Sequence, residues 1–130
     1  MSQFRIGEAA ELLGVSADTV RRWADSGRLA AHRDEHGHRV VDGADLAAYT
    51  RERRGSDEGP PSSARNRFRG LVTMVTKDTV MAQVEIQAGP HRVVSLMSRE
   101  AVDELDLAVG RVVWAVVKST NVIVELPRSS

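Results

Sequence analysis

The sequence predicts an α+β protein of two small domains. Three observations carry this expectation. Residues 4–54 place apolar side chains at helical spacing around two short strands. Residues 67–126 alternate in the manner of β-strands. Between them Gly55-Ser56-Asp57-Glu58-Gly59-Pro60-Pro61-Ser62 has no apolar residue, and Pro60-Pro61 stiffens its end. The expected organisation is therefore a first domain over 1–54, a linker over 55–62 and a second domain over 63–126.

The totals bound the function. The 130 residues are 42% hydrophobic and 28% charged, and 18 Lys and Arg balance 18 Asp and Glu. A chain without net charge makes any nucleic-acid contact by local placement of cations. Nearly all its cations are Arg; the lysines are Lys77 and Lys118. A Lys at 118 fits a demand for a compact point charge there, and chance usage explains it as well. The absence of Cys excludes disulfides and thiolate metal sites and fits a reducing compartment. Met1–Val15 carries Glu8 and Glu11 within its apolar run, unlike a signal peptide. No apolar run approaches the roughly 20 residues that span a bilayer. The expected location is the cytoplasm, with no membrane partner.

In the first half, Ile6, Ala9, Ala10 and Leu13 form one helical face. Gly14-Val15-Ser16 reads as the turn of a helix-turn-helix, with Ser16 as N-cap of a second helix from Ala17 to about Ser26. Val20 and Trp23 point to the core, and Asp18, Arg21, Arg22 and Asp25 lie on or near the other face. Gly27 is placed to end the helix in a left-handed conformation. Two short strands, Leu29–Arg33 and His38–Val41, flank the polar turn Asp34-Glu35-His36-Gly37 as a small wing. Asp42 is the expected cap of a third helix through Leu46 and Tyr49 to about Arg53. His36 and His38 alternate around Gly37, but two imidazoles without a third ligand do not make a metal site, so no direct metal site is expected.

In the second half five strands are expected: Phe68–Val75, Thr79–Gln87, His91–Met97, Arg111–Val117 and Asn121–Leu126. Val80, Ala82, Val84 and Ile86 should share the core face of the second strand. Lys77-Asp78 and Gly89-Pro90 mark turns. Ser98 can cap a short helix, Arg99–Leu105, between the third and fourth strands. This order matches a small OB-like five-stranded β-barrel. Val112–Val117 is apolar on both faces, which fits a subunit interface or a well-filled barrel interior.

The polar residues around this barrel point to a ligand class. Ser62-Ser63-Ala64-Arg65-Asn66, Ser95-Leu96-Met97-Ser98 and Lys118-Ser119-Thr120-Asn121 offer hydroxyls, one guanidinium, one ammonium and backbone N–H groups. Such donors suit a small, fully ionised oxyanion. Plainer roles exist: Ser98 as N-cap only, Arg65 in a surface ion pair or subunit contact, Lys118 as a strand-end cation. No nucleophile–base pair, phosphate loop or metal cluster stands out, so no enzyme is expected.

Two resemblances sharpen the reading. Phe4-Arg5-Ile6-Gly7-Glu8-Ala9-Ala10, the Gly14-Val15-Ser16 turn, Thr19-Val20-Arg21-Arg22-Trp23, Gly27-Arg28-Leu29 and His36-Gly37-His38-Arg39 resemble the MerR/excisionase-type winged helix-turn-helix. The resemblance implies that Ala17–Ser26 enters the major groove of double-stranded DNA. Ser16, Thr19, Arg21 and Arg22 would lie at the interface, with Arg33 and Arg39 on the backbone. A solvated face pairing Arg21 and Arg22 with Asp18 and Asp25 fits the same residues.

Ser63-Ala64-Arg65-Asn66, Gly70, Glu104-Leu105-Asp106-Leu107 before Val109-Gly110, and Lys118-Ser119-Thr120-Asn121-Val122-Ile123-Val124 resemble the Mop (molbindin, TOBE-type) domain. The family implies a molybdate or tungstate ligand. It implies that Ser63, Ala64 and Arg65 of one protomer meet Ser95, Ser98 and Lys118 of another, with Ser119 as a further donor. At least a dimer through this domain follows. Together the halves resemble a ModE-like molybdate-responsive regulator, although the helix-turn-helix is MerR-like and the Mop unit single. The alternative is a molbindin-type binding or storage protein whose N-terminal domain serves assembly.

Overall fold

A computed structural model describes residues 2–53 and 62–128. The chain divides into two compact units, Met1–Glu58 and Gly59–Ser130. Residues 55–61 of the expected linker lie outside the described residues.

The first unit begins with a strand rather than a helix. Strand β1 (Gln3–Arg5) pairs antiparallel with β3 (Arg39–Asp42), setting Phe4 opposite Val41. Strand β2 (His32–Arg33) pairs on the other side of β3, giving the order β1-β3-β2. Phe4, at the start of the stretch expected to be helical, has its backbone in the sheet instead. Helix α1 (Ile6–Leu13) ends at Gly14, and the Val15 N–H reaches back to the Ala10 carbonyl at 3.0 Å. Helix α2 (Ala17–Asp25) starts where expected: Ser16 Oγ accepts from the Thr19 N–H at 3.1 Å.

Its far end is closed by a Schellman arrangement. Gly27 N–H donates to the Ala24 carbonyl at 3.2 Å and Arg28 N–H to the Trp23 carbonyl at 3.0 Å. Gly27 sits at φ +79°, a region costly for any residue with a Cβ. Helix α3 (Gly43–Arg53) follows β3 directly. Asp42, expected as its cap, is the last residue of β3, and its carboxylate accepts from Gln3 Nε2 at 3.1 Å. The core gathers Ile6, Ala9, Ala10, Val20, Trp23, Leu29, Val41 and Leu46. Trp23 and Tyr49 meet with ring centroids 5.0 Å apart, and the Arg53 guanidinium lies 4.4 Å over the Trp23 ring.

The second unit is a curled antiparallel sheet of four strands, in the order β6 (His91–Ser98), β5 (Met81–Ala88), β4 (Asn66–Lys77) and β7 (Val112–Val117). Strand β4 (Asn66–Lys77) is long enough to serve two partners. Its first half pairs with β7 (Val112–Val117) and its second with β5 (Met81–Ala88). A register shift between Val72 and Met74 bends it, the usual way a sheet curls toward closure. Gly70 permits the tight crossing. A Cβ there would lie 2.5 Å from Ile86 Cγ2 and 2.7 Å from the Gln87 carbonyl oxygen. Strand β6 (His91–Ser98) pairs with β5. Helix α4 (Arg99–Glu104) plugs one end of the core through Val102, and Ser98 Oγ caps it from 3.1 Å. Val72, Ala82, Val84, Ile86, Val102 and Ala115 form the core.

Two expectations are corrected. Val80 is not on the core face; it is 68% exposed in a turn ahead of β5. The Asp78 carboxylate accepts from the Val80 and Met81 N–H groups at 2.8 and 2.7 Å, so the turn takes those donors. The segment Asn121–Leu126 forms no fifth strand with its own sheet. Ser119–Asn121 makes a 3-10 turn, closed by Asn121 N–H on the Lys118 carbonyl at 2.9 Å, and Val122 follows in extended conformation. The architecture is OB-like with four strands in one ladder. The outward side chains of β7, Val112, Trp114 and Val116, are exposed.

Candidate functional site

Sheet register brings one group of expected donors together. Asn66 pairs with Val117 at the open corner of β4 and β7, and Asn66 Nδ2 donates to the Val117 carbonyl at 3.1 Å. The segment leading into β4, Ser63-Ala64-Arg65, therefore adjoins Lys118-Ser119 leading out of β7. Ser63, Arg65, Lys118 and Ser119 are exposed, and Ala64 is buried. Two donors here have partners: Ala64 N–H bonds Ser62 Oγ at 3.1 Å, and Arg65 Nη1 bonds the Ser62 carbonyl at 3.2 Å. These bonds set the course of the segment. Arg65 has further N–H groups in its fork, so one bond to Ser62 leaves donors to spare.

Ser95 and Ser98 stand elsewhere. Both are on β6, two strands from β4 in the ladder. Ser95 is half-buried opposite Val84, on the same face as the core residues Val84 and Ile86. Ser98 pairs with Met81, and the neighbouring Ala82 pairs with Lys77 at the far end of β4. Ser98 thus belongs to the opposite end of β4 from Asn66. Within one chain Ser63, Ala64, Arg65, Lys118 and Ser119 follow the Asn66–Val117 end of the β4–β7 pair, while Ser95 and Ser98 are on β6, three residues apart and so on opposite faces of that strand. Register sets Lys118 beside Ser63–Arg65 of its own chain. Asn66, which fastens this corner, was legible only as part of a motif.

In the first unit the expected contact residues form two short networks. Ser16 and Thr19 hydroxyls are 2.8 Å apart, and Arg22 Nη2 donates to Thr19 Oγ1 at 3.2 Å. Arg21 lies alongside Asp18 at 2.5 Å on the exposed face of α2. On the wing, Arg33 Nη1 donates to the Gly37 carbonyl at 2.7 Å. Arg39 reaches Asp25 of α2 at 2.8 Å, tying the wing to the helix. The Arg–Asp pairing weighed from the sequence is realised for Arg21 with Asp18; Asp25 takes Arg39 rather than Arg22. Exposed pairs of this kind contribute about 0–1 kcal/mol, so a phosphate competes with them readily.

The wing turn has its own organiser. The Asp34 carboxylate accepts from the His36 and His38 N–H groups, each at 2.9 Å. The backbone bond from His38 leads the causes that hold its carboxyl below the ordinary value of 3.8. The two imidazoles point from this turn with ring centroids 6.4 Å apart. Among the described residues no three His, Asp or Glu side chains gather as a metal site. No described helix is long and apolar enough to cross a membrane. Arg28, quoted above only within the Gly27-Arg28-Leu29 motif, is exposed just past Gly27 at the end of α2.

Comparison with known proteins follows this division. Residues 62–124 match the TOBE domain and residues 4–54 a helix-turn-helix domain. Molybdenum-pterin-binding protein 2 of Clostridium pasteurianum is 40% identical over 63 residues, which are 48% of this chain and 93% of that protein. The chain belongs to the TOBE-domain family. A probable molybdenum-pterin-binding protein of Haemophilus influenzae is 41% identical over 63 residues, covering 48% of this chain and 91% of its own length.

Solved structures of molybdate-binding proteins match about half of this chain in fold. A molybdate-binding protein from Sporomusa ovata superposes with a TM-score of 0.50 at 31% identity, over 52% of this chain and all of its own. ModG, a cytoplasmic molybdate-binding protein solved with molybdate bound, gives a TM-score of 0.50 at 36% identity, over 53% of this chain and 50% of its own. The helix-turn-helix match over 4–54 does not overlap the TOBE match over 62–124. This chain therefore joins a TOBE domain to a helix-turn-helix domain.

Proposed function

We propose that this chain is a transcriptional regulator that binds double-stranded DNA through residues 1–54 and molybdate or tungstate through a TOBE domain over 63–126. The observation that supports the reading is the Asn66–Val117 pairing, from which Arg65 and Lys118 follow as neighbours along the two chains. A tetrahedral dianion offers acceptor oxygens in four directions and needs donors that converge on it. Arg65 and Lys118 supply charge, and the serine hydroxyls supply neutral donors.

A full site in this reading uses Ser63, Ala64, Arg65 and Ser119 of one copy with Ser95 and Ser98 of another. Lys118 contributes from whichever copy brings its ammonium to the anion. The functional unit is then at least a dimer through the barrel. A dimer presents two α2 helices to a palindromic site, with Ser16, Thr19, Arg21 and Arg22 at the groove and Arg33 and Arg39 on the backbone. Ligand that orders the barrel pair biases the spacing of those helices, and a coupling of about 1–3 kcal/mol makes a useful switch. The protein works in the cytoplasm in this reading, and no catalytic step is assigned to it.

Calorimetric titration with molybdate, tungstate and sulfate at fixed salt tests the sensor half. Saturable heat with molybdate and tungstate is expected, and Lys118→Ala should weaken it at least tenfold, since hydrogen bonds to charged groups contribute about 1.5–3 kcal/mol. Unchanged binding by that variant removes Lys118 from the site.

A further inference from the structure

The second unit carries its charge unevenly. Glu100, Asp103 and Glu104 lie on α4, and Asp103 accepts from Lys77 at the far end of β4 at 2.8 Å. The near end of β4 is basic. Arg65, Arg67 and Arg69 alternate along the chain there, and Lys118 follows β7. Neither Asn66–Leu71 nor Val112–Val117 includes an Asp or Glu. Register sets Arg67 opposite Val116 and Arg69 opposite Trp114. These side chains share the outward face of the sheet, because Ala115, between Trp114 and Val116, is in the core. The Arg67 guanidinium lies 5.0 Å over the Trp114 ring, and Trp114 is 49% exposed. Arg69 is exposed, and its side chain makes no hydrogen bond or ion pair among the described residues.

Like charges lined up on one strand repel one another, and an anionic partner offsets that cost. A small oxyanion at the Asn66–Val117 corner accounts for Arg65 and Lys118 only. Arg67 and Arg69 stand further along β4, alternate residues about 6.8 Å apart, and suit a regular line of anions. The first unit does not supply such a line of cations. Residues 1–54 hold nine Arg against nine Asp and Glu. Arg21 and Arg39 are tied to Asp18 and Asp25. Sequence-independent binding to a duplex nevertheless draws its strength from neutralised phosphates.

We propose that the outward face around Arg67, Arg69 and Trp114 is a second surface for double-stranded DNA. Arg69 takes a backbone phosphate, and Arg67, steadied by the Trp114 ring, takes another. Contacts of this kind add grip without sequence preference. The eight residues 55–62 join this half to the helix-turn-helix, so a bound first unit keeps the face at high effective concentration beside flanking duplex. A second copy is the poorer occupant, because two-fold pairing of this patch sets arginine against arginine. The inference rests on the DNA reading above and extends it from one half of the chain to both.

The test uses the full chain with molybdate saturating throughout, so the corner stays in one state. Anisotropy across a salt series compares the wild type with Arg67→Gln and Arg69→Gln together. The slope of log affinity against log salt should fall by about 1.8, at about 0.9 for each of two phosphates. The ratio of affinities for the selected and a scrambled duplex should stay within twofold, as should molybdate binding by calorimetry. If the double variant does not fold, Arg69→Gln alone should lower the slope by about 0.9. An unchanged slope with molybdate binding intact overturns the proposal. So does a slope that falls only because light scattering shows the variant has lost subunits, which assigns the face to self-association. Arg21→Ala with Arg22→Ala separates the two readings. If that variant alone loses affinity, the helix-turn-helix reading stands and this surface fails. If only the Arg67 and Arg69 variant loses affinity, the reverse holds. A wild-type protein that binds no duplex overturns both.

Discussion

Asn66 Nδ2 donates to the Val117 carbonyl at 3.1 Å, and by this bond the first strand of the barrel grips the last. The two residues are also ladder partners, so the contact is held by backbone and side chain together. Everything proposed for the anion corner depends on it, because Arg65 precedes Asn66 and Lys118 follows Val117.

Asn66→Ala should therefore cost more in ligand affinity than in folding. A single hydrogen bond of this kind contributes about 0.5–1.5 kcal/mol to stability. The expected result is a modest fall in melting temperature and a several-fold rise in the molybdate dissociation constant, read by thermal denaturation and calorimetry on one preparation. A fall in stability with unaltered affinity separates the bond from the site.

Gly70 sets the crossing of β4 and β5. Gly70→Ala forces Ile86 and the backbone at Gln87 to move, and overpacking of this kind costs about 1–3 kcal/mol. The loss should appear in the second unit: amide exchange in β4 and β5 should quicken while α1 and α2 remain as in the wild type. Equal quickening in both units contradicts the local account.

Asp34 makes the wing acid-sensitive. Its folded carboxyl titrates below 3.8, with the His38 N–H bond as leading cause and burial opposing. A depressed carboxyl stabilises fully above its unfolded value, and the contribution fades as pH falls through the folded value. Amide signals of His36 and His38 should shift together below about pH 3.8. Asp34→Asn should abolish that titration; its survival assigns it to another group.

On the DNA side, Arg21→Ala with Arg22→Ala should weaken binding at low salt. Each lost phosphate contact lowers the slope of log affinity against log salt by about 0.9. Fluorescence anisotropy across a salt series reads both quantities. Arg39→Ala should act partly through structure, since Arg39 holds the wing to α2 through Asp25. A double variant with unchanged slope removes α2 from the groove.

Much of this was legible in the sequence because local chemistry decided it. Ser16 caps α2 and Ser98 caps α4, and both were readable from residue type and position. Gly27 ends α2 with the left-handed backbone expected of it. The match to a TOBE domain over 62–124 agrees with what the Ser63–Asn66 and Lys118–Val124 motifs implied. The failures were cases where local pattern lost to competing bonds. Val80 alternates correctly for a core strand, but Asp78 takes its N–H into a turn. Asn121–Leu126 has strand character yet finds no partner within its own sheet, because strand formation is settled by the neighbour and not by the segment. The separation of Ser98 from Lys118 follows from ladder register, which no motif spacing encodes. The ties of Arg39 to Asp25 and of Arg53 to Trp23 cross between elements and were invisible for the same reason.

The most direct test of the whole account is DNA affinity with and without saturating molybdate. The measurement is anisotropy at one fixed salt concentration, on a duplex that the protein itself selects from a random pool. A coupling of about 1–3 kcal/mol predicts that molybdate shifts the dissociation constant by roughly 5- to 150-fold, with sulfate inert. Equal affinities in the presence and absence of molybdate, with calorimetry showing the anion bound, contradict the claim that this chain reports the anion to DNA.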